Sequence, residues 1–378
     1  MRLRTIIYAL LLGEVSVASW WALAAGERPP PFAKDAPFAA RPLATLDEPW
    51  AMAFLPGTRS ALITERTGRL KLWLEGSGLR DVTGVPAVVH EGQGGLGDVV
   101  LAPDFPTTGI VYLSWAEAGP NGTAGAAVGR ATLVPGAAPR LDGLQVIWRQ
   151  QPKVTGRGHY SHRLAFSPDG KFLFIASGER QKFTPAQDLS VNLGKIVRLL
   201  PDGTPAPGNP WASKGGITAQ VWTVGHRNIL GLHFDPQGRL WDLEHGPRGG
   251  DELNLVQAGR NYGWPVVSEG DNYDGRPIPR HATHPEFTAP TVSWTPVIAP
   301  GGFIFCRCEK FPRWHGKALI AGMGAQGIVE VAIEGDKARE VARYNLNARI
   351  RAIAEREDGS LFVLEDGSGG RLLQLLPR

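Results

Sequence analysis

The chain has 378 residues, with 48 glycines, 31 prolines and a formal net charge of +4. Glycine and proline together usually make up roughly 12% of a protein, so their excess here excludes a helical bundle. The 43% hydrophobic and 20% charged residues exclude a disordered chain and a polytopic membrane protein. Lysines and arginines are scattered, which does not indicate nucleic-acid binding. The composition predicts a soluble, loop-rich, mostly β protein.

Residues 1–25 are typical of a signal peptide, with a basic start, an apolar run from Ile6 to Leu12 and small residues for cleavage near position 24. Glu14 interrupts the apolar stretch, which argues against a membrane-spanning helix of about 20 apolar residues. We expect a periplasmic or secreted mature chain without stable membrane insertion. An uncleaved tether and a cytoplasmic chain are the alternatives. The proline-rich segment 26–42 is predicted to be a linker.

A hairpin pattern recurs six times in residues 43–378. Each copy has an apolar run, a turn rich in proline, aspartate and glycine, and a second apolar run. The turns lie near residues 56, 103, 168, 236, 312 and 358, and the fifth copy is the weakest. This spacing leaves room for four strands a copy, and such a unit has to pack against its neighbours. The sequence therefore predicts an all-β fold, a six-bladed β-propeller with four-stranded antiparallel blades, with a long β-sandwich as the alternative.

Two cysteines, Cys306 and Cys308, lie two positions apart. Residues with this spacing face the same side of a strand, near the upper limit of the Cα separation for a disulfide. We interpret them as two small, unlinked strand residues. A redox pair and a metal site are the alternatives.

The segment from Gly92 to Gly97 fits the pattern G-x-G-x-x-G. A dinucleotide site needs this pattern between a strand and a helix, whereas here it leads into a predicted strand. We therefore expect either a loop that places Gln93 near a ligand or a plain turn.

Two loops that precede hairpins carry candidate catalytic groups. His159 precedes the third hairpin and could act as a general base, although a surface role is more frequent for a loop histidine. Arg227 and Asn228 precede the fourth hairpin and supply donors for a carboxylate or a developing oxyanion. A purely structural role for Arg227 is equally compatible with the sequence.

Two further segments suggest charged ligands. Residues 244–254 hold adjacent acids in a glycine-rich loop, which offers the oxygen ligands that calcium takes. Arg349 and Arg351 lie two apart on a predicted strand and share one face. Such a pair favours a bound anion, and a solvated strand face is the alternative.

Together these segments resemble the soluble aldose sugar dehydrogenases that use pyrroloquinoline quinone (PQQ). The resemblance extends from about Leu46 to Pro377 and depends on the order and spacing of several motifs. These motifs are residues 93–97, 158–160, 187–196, 225–228, 244–254, 261–265 and 294–300.

The resemblance implies a six-bladed propeller that oxidises an aldose at its anomeric carbon to a lactone and passes electrons to an external acceptor. It implies that His159 is the base that takes the hydroxyl proton and that Arg227 lies beside the reacting quinone oxygen. The other residues that it places on the cofactor are Gln93, Asn228, Tyr273, Arg349 and Arg351. It implies two calcium ions, one held by the carbonyls of Gly246 and Pro247 and a second, structural one held by Glu252 and Tyr262.

The sequence departs from this family at particular positions. Gly324 stands where many members carry a lysine, and His162 stands where they often have glycine. The first departure keeps a second hypothesis open, a propeller that binds a ligand without catalysis. A calcium-dependent lactonase is the third hypothesis. The sequence gives no prediction of oligomeric state.

Overall fold

The computed structural model describes residues 32–33 and 35–378. The predicted signal peptide at residues 1–25 lies outside this part of the chain. Within the predicted linker 26–42, the last residues already belong to the first strand, which begins at Phe38.

The described chain folds into six four-stranded antiparallel sheets, as the sequence predicts. The first sheet contains β2 (Pro49–Phe54), β3 (Ser60–Glu65), β4 (Arg69–Leu74) and β5 (Gly78–Val82). The second contains β6 (Leu96–Leu101), β7 (Ile110–Ala118), β8 (Ala124–Val134) and β9 (Arg140–Arg149). The third contains β10 (Ser161–Phe166), β11 (Leu173–Ser177), β12 (Lys195–Leu199) and β13 (Val221–Val224).

The remaining three sheets complete the ring. The fourth sheet contains β14 (Ile229–Phe234), β15 (Leu240–Glu244), β16 (Asp251–Val256) and β17 (Val292–Trp294). The fifth contains β18 (Pro300–Phe305), β19 (Ala318–Gly322), β20 (Gly327–Glu334) and β21 (Lys337–Asn345). The sixth contains β22 (Ile350–Glu355), β23 (Leu361–Glu365), β24 (Ser368–Pro377) and, from the other end of the chain, β1 (Phe38–Asp47).

The sixth sheet closes the propeller, because its outer strand is β1 and the neighbour of β1 is β24. The ladder joins Phe38 to Pro377 and Asp47 to Ser368. The first strand and the last strand therefore fix each other.

Helical structure is minor in the described residues. It comprises α1 (Phe105–Thr108) and 3-10 turns at Pro120–Gly122, Thr184–Gln187, Ala212–Lys214, Thr218–Gln220, His281–Thr283 and Pro312–Trp314. None of the helices in this part of the chain has the length and hydropathy needed to cross a membrane.

The six recurring hairpins are the first two strands of the six sheets, including the weak fifth copy. Each hairpin has a register shift near the start of its first strand, for example between Ser161 and Leu164 and between Ile350 and Ala352. A bulge adds a residue to one strand and turns the neighbouring side chains, which is common beside active sites. All six bulges therefore lie at the same end of the ring, where a loop leads into the first strand of each sheet.

The core is divided among the six interfaces between adjacent sheets. A separate cluster of buried apolar side chains fills each interface, as between the first two sheets, where Trp50 and Leu62 pack with Leu113 and Trp115. The second strands of the third to sixth sheets are buried at every position. Because both faces of each sheet are covered, apolar burial holds the ring together.

The interpretation of the cysteines as unlinked strand residues is wrong. Cys306 and Cys308 follow the end of β18, are buried, and form a disulfide. Cys308 has a positive φ of 50°, so the chain turns between the two residues instead of continuing as a strand. The bond encloses only Arg307 and joins no two sheets, as expected for a fold held by packing.

Candidate active site

One end of the ring carries the loops that precede the first strand of each sheet and the loops that join its second and third strands. A pocket of about 190 Å³ opens at this end, and all six sheets contribute to its wall, so it lies at the centre of the ring. We call it the axial pocket. Its wall consists of Trp50, Arg66, Gln93, Tyr160, Ser161, His162, Asn228, Leu230, His245, Met323, Arg349 and Arg351.

Four of the predicted cofactor contacts line the axial pocket, namely Gln93, Asn228, Arg349 and Arg351. The motif around Gln93 leads into strand β6, which excludes the strand–helix context of a dinucleotide site. Asn228 is buried, and its Oδ1 accepts a hydrogen bond from the Ser161 main chain at 3.2 Å.

Arg227 lies beside the axial pocket. Its Nη1 donates to the main-chain oxygen of His245 at 3.0 Å, and its Nη2 donates to the hydroxyl of Tyr273 at 3.5 Å. The Nε of Arg227 is buried and finds no acceptor among the described residues. Tyr273 is 74% exposed and does not line the pocket, so it sits on the outer side of Arg227.

His159 is buried immediately before β10 and contacts a carboxylate that the sequence analysis did not single out. Its Nδ1 is hydrogen-bonded to Oε1 of Glu179, and its main-chain N donates to Oε1 of Gln93 at 2.7 Å. Glu179 follows β11 and accepts a second hydrogen bond from the main-chain N of Phe183 at 2.6 Å. Hydrogen bonds to both its ring and its main chain thus hold His159 in place.

The environment favours a neutral His159 ring and an ionised Glu179 carboxylate. Burial lowers the pKa of His159, and its hydrogen bond to Glu179 offsets that effect only in part. Burial alone would raise the pKa of Glu179, but hydrogen bonds from His159 and Phe183 hold it below its ordinary value. A neutral imidazole beside an ionised carboxylate is the resting state of a general base.

The arginine pair has a shared counter-ion inside the protein. Nε of Arg349 donates to Oδ2 of Asp366 at 2.9 Å, and Nη2 of Arg351 donates to Oδ1 at 2.6 Å. Burial opposes ionisation of Asp366, yet the two arginines hold its pKa below the ordinary value. One carboxylate for two arginines leaves positive charge in the pocket wall, which suits an anionic ligand.

The four predicted metal residues surround one small cavity next to the axial pocket. Gly246, Pro247, Glu252 and Tyr262 all line this space of about 20 Å³, together with Glu244. We call it the acidic cavity. The family resemblance implies that these residues are divided between two ions, and in the structure all four line a single cavity. A volume of this size holds a single water-sized occupant.

The acidic cavity brings two carboxylates face to face. Glu244 of β15 pairs directly with Glu252 of β16 in the sheet register. Burial, reinforced by the nearby Glu244, raises the pKa of Glu252 to about 8. Like charges directly opposite each other destabilise a sheet, and a cation between them reverses that effect. The donor set of carboxylates and main-chain oxygens therefore fits a hard divalent cation.

Other contacts hold the loop over the acidic cavity. Asp251 is buried and accepts hydrogen bonds from the main-chain N of Gly246 at 2.9 Å and of Ala299 at 2.7 Å. The hydroxyl of Tyr262 donates to the main-chain oxygen of Leu255 at 2.7 Å, so this phenol is already engaged in the sheet.

Sequence reasoning missed Glu179 and Asp366. Both follow the second strand of an inner hairpin, and each faces the residue that precedes the first strand. The register pairs Ser161 with Ser177, so that His159 lies opposite Glu179 two positions further along. A search for acids that follow the second strand of each hairpin would have made both residues candidates, but only the strand register identifies their partners.

Comparison with known proteins identifies the family to which this chain belongs. Residues 46–374 match the family model described as Glucose / Sorbosone dehydrogenase, and the chain belongs to this family. It is 42% identical over 342 residues to the aldose sugar dehydrogenase YliI of Escherichia coli K12, covering 88% of this chain and 91% of that protein.

Solved structures agree with this assignment. The soluble aldose sugar dehydrogenase of Escherichia coli in its apo-form superposes with a TM-score of 0.85 at 39% identity, covering 90% of this chain and all of that one. The PQQ-bound form of an aldose sugar dehydrogenase from Streptomyces coelicolor superposes with a TM-score of 0.74 at 27% identity, over 92% of this chain and all of that one.

Proposed function

We propose that this protein is a PQQ-dependent, calcium-assisted dehydrogenase that oxidises an aldose at the anomeric carbon to a lactone. The observation that carries the proposal is the buried His159–Glu179 pair next to an arginine-lined axial pocket, in a chain of this family. The PQQ bound to the Streptomyces coelicolor relative supports the choice of cofactor. The mature enzyme works in the periplasm or outside the cell and passes electrons to an external acceptor.

The axial pocket offers the groups that would hold the cofactor. PQQ carries three carboxylates, and Arg349 and Arg351 are the donors suited to bind them. Gln93, Asn228 and the unpartnered Nε of Arg227 add further donors near the pocket. When bound, PQQ supplies the two-electron acceptor for the hydride of the anomeric carbon.

His159 supplies the proton acceptor. An ionised carboxylate only accepts hydrogen bonds, so the contact with Glu179 places the ring proton on Nδ1. This leaves Nε2 with a lone pair that takes the proton of the anomeric hydroxyl as the C–H bond loses its hydride. The carbon–oxygen bond becomes a carbonyl, and the product is a lactone. Glu179 stabilises the imidazolium that forms.

A divalent cation at the acidic cavity would contribute positive charge close to Arg227, which lines the same cavity. Gly246 and Pro247 offer main-chain oxygens, Glu252 offers a carboxylate, and Tyr262 also lies in the wall. Calcium suits this set because it accepts mixed carboxylate and carbonyl ligands in irregular geometry.

The test is dye reduction by the purified protein after it is mixed with calcium and PQQ, with several aldoses as substrates. We expect turnover that is lost on addition of a chelator and reduced by about 10²–10⁴-fold in His159→Ala, the usual contribution of a general base. Tight PQQ binding without turnover on any aldose would favour a binding protein over an enzyme. Failure to bind PQQ at all would overturn the proposal.

A further inference from the structure

His162 is a buried histidine in the wall of the axial pocket, with 3% of its surface exposed. Neither ring nitrogen has a hydrogen-bond partner among the described residues. Buried polar groups are nearly always paired, so an unpaired imidazole in a pocket wall points to a ligand.

Packing alone holds the His162 ring. It stacks on Tyr160 with ring centroids 5.4 Å apart and an interplanar angle of 8°, and the edge of Trp50 approaches it at 5.9 Å. On another side the backbone of Gly97 comes so close that a Cβ there would lie 2.6 Å from the Cβ and Cγ of His162. The ring is therefore fixed in place while both nitrogens stay unpaired.

Arg180 packs against the ring of Tyr160. The guanidinium of Arg180 lies 3.7 Å from the centre of the Tyr160 ring. Arg180 in turn donates to the main-chain oxygens of Gly158 at 2.9 Å and Ala124 at 2.8 Å. Arg180, Tyr160 and His162 form a rigid column that ends at the axial pocket.

The backbone conformation at His162 is also energetically unfavourable. Its φ of 76° lies in the left-handed region, which favours glycine. A strained backbone position and an unpaired buried imidazole both destabilise the free protein. Strain of this kind persists at sites where it serves binding or catalysis.

The charge around His162 defines the ligand that it suits. Burial lowers the pKa of His162 to about 3, and the positive charges of Arg180, Arg163 and Arg66 act in the same direction. A neutral imidazole carries one N–H donor and one acceptor. In a wall that also contains Arg349 and Arg351, that donor suits an oxygen of an anionic ligand.

We propose that His162 is a further cofactor-binding residue of the axial pocket, whose ring N–H donates a hydrogen bond to a carboxylate or carbonyl oxygen of PQQ. This inference rests on the proposed function, because it assigns His162 to the same ligand. This role differs from that of His159, the proposed base, whose Nδ1 is hydrogen-bonded to Glu179.

The test compares PQQ affinity in His162→Phe, which keeps a ring of similar size without nitrogens, with affinity in the wild type. We expect the dissociation constant, measured by calorimetry on the calcium-loaded protein, to rise about 10- to 100-fold, the size of a lost hydrogen bond to a charged group. The unfolding temperature of the cofactor-free protein should not fall, since no partner of His162 is lost. His162→Gln, which restores an N–H donor, should recover part of the affinity.

Two further variants serve as a substitute and as a control for this test. His162→Gly relieves the left-handed backbone and serves if the phenylalanine variant does not fold, with the same expected loss of affinity. His233→Phe is the matched control, because His233 packs on Phe303 at 5.1 Å outside the axial pocket, and its PQQ affinity should equal that of the wild type.

The outcomes separate this inference from the proposed function. If the wild type binds PQQ and His162→Phe binds it equally well, His162 makes no hydrogen bond to the cofactor, and the inference is overturned while the proposed function stands. If the wild type does not bind PQQ, the proposed function is overturned and His162 has no role in it.

Discussion

The carboxylate of Glu179 contacts Nδ1 of His159 because the two residues lie opposite each other, two positions beyond the Ser161–Ser177 pair that ends the ladder of β10 and β11. A similar relationship joins Arg349 to Asp366, one position beyond the Ile350–Glu365 pair that ends the ladder of β22 and β23, where the main-chain N of Asp366 also donates to the oxygen of Arg349 at 2.8 Å. Inner hairpins of the propeller thus place a candidate site residue and its partner just beyond the ends of two neighbouring strands. The partner then needs no long loop to reach the site.

Replacing Glu179 by Gln should lower kcat by about 10-fold or more, because the imidazolium that forms on His159 loses its counter-charge. Without the carboxylate, the pKa of His159 falls further below its ordinary value, since Glu179 is the group that raises it. The base is active when neutral, so the acidic limb of the pH–kcat profile should move to lower pH. Steady-state dye reduction between pH 4 and 8 measures both effects, and PQQ affinity should not change.

Replacing Asp366 by Asn should destabilise the cofactor-free protein by about 3–5 kcal/mol, because it leaves the buried Arg351 without its partner. Denaturant unfolding measures the loss. PQQ should stabilise the variant, because its carboxylates can replace the missing charge. The control is Asp142→Asn, which breaks a half-exposed pair with Arg140 and should cost no more than about 1 kcal/mol. Equal losses in both variants would contradict the importance of Asp366.

Replacing Glu252 by Gln should remove the stabilisation that calcium gives to the protein. The proposed calcium site lies in the folded acidic cavity, so addition of calcium to the wild type should raise the unfolding temperature, and a chelator should reverse the rise. In the variant the temperature should be insensitive to calcium, and higher than in the calcium-free wild type, since Glu252 no longer opposes Glu244. Glu286→Gln alters an exposed acid outside the cavity and should keep the calcium response. A full response in Glu252→Gln would place calcium elsewhere.

Replacing Gly324 by Lys should strengthen PQQ binding by adding a cation next to Met323, which lines the axial pocket. The position is crowded, because a Cβ there would lie 3.0 Å from the main-chain oxygen of Ile298 and 3.1 Å from the Cβ of Ala299. Gly324→Ala tests this crowding alone and should cost about 1 kcal/mol of stability. Calorimetry should show tighter binding in Gly324→Lys than in Gly324→Ala. Equal affinities would mean that the lysine does not reach the cofactor.

The fold could be predicted because its signal is local and repeated. Each inner hairpin carries its own turn residues, so six weak signals support one architecture, even where the fifth turn near Pro312 is poor. The disulfide could not be predicted, because it depends on the left-handed turn at Cys308, which the residue types do not indicate.

Only part of the candidate site could be predicted from the sequence. Motifs single out His159 and Arg349 as candidates, but the identity of their partners depends on strand register. Counted from the turn, the pairing of Leu164 with Ile175 would place Arg180 opposite His159, and only the bulge after Ser161 brings Glu179 there. A shift of a single residue decides which partner is correct, and such a shift leaves no reliable trace in composition or periodicity.

The pairing of β1 with β24 has a consequence for biosynthesis. Proteins are made from the N-terminus, and contacts between residues far apart in sequence form slowly because the intervening chain must first be ordered. Until Ser368–Pro377 has been synthesised, Phe38–Asp47 is a strand without its neighbour. An unpaired strand edge is a template for association with other chains. A growing polypeptide therefore carries this unpaired edge until β24 has been made and has paired with β1.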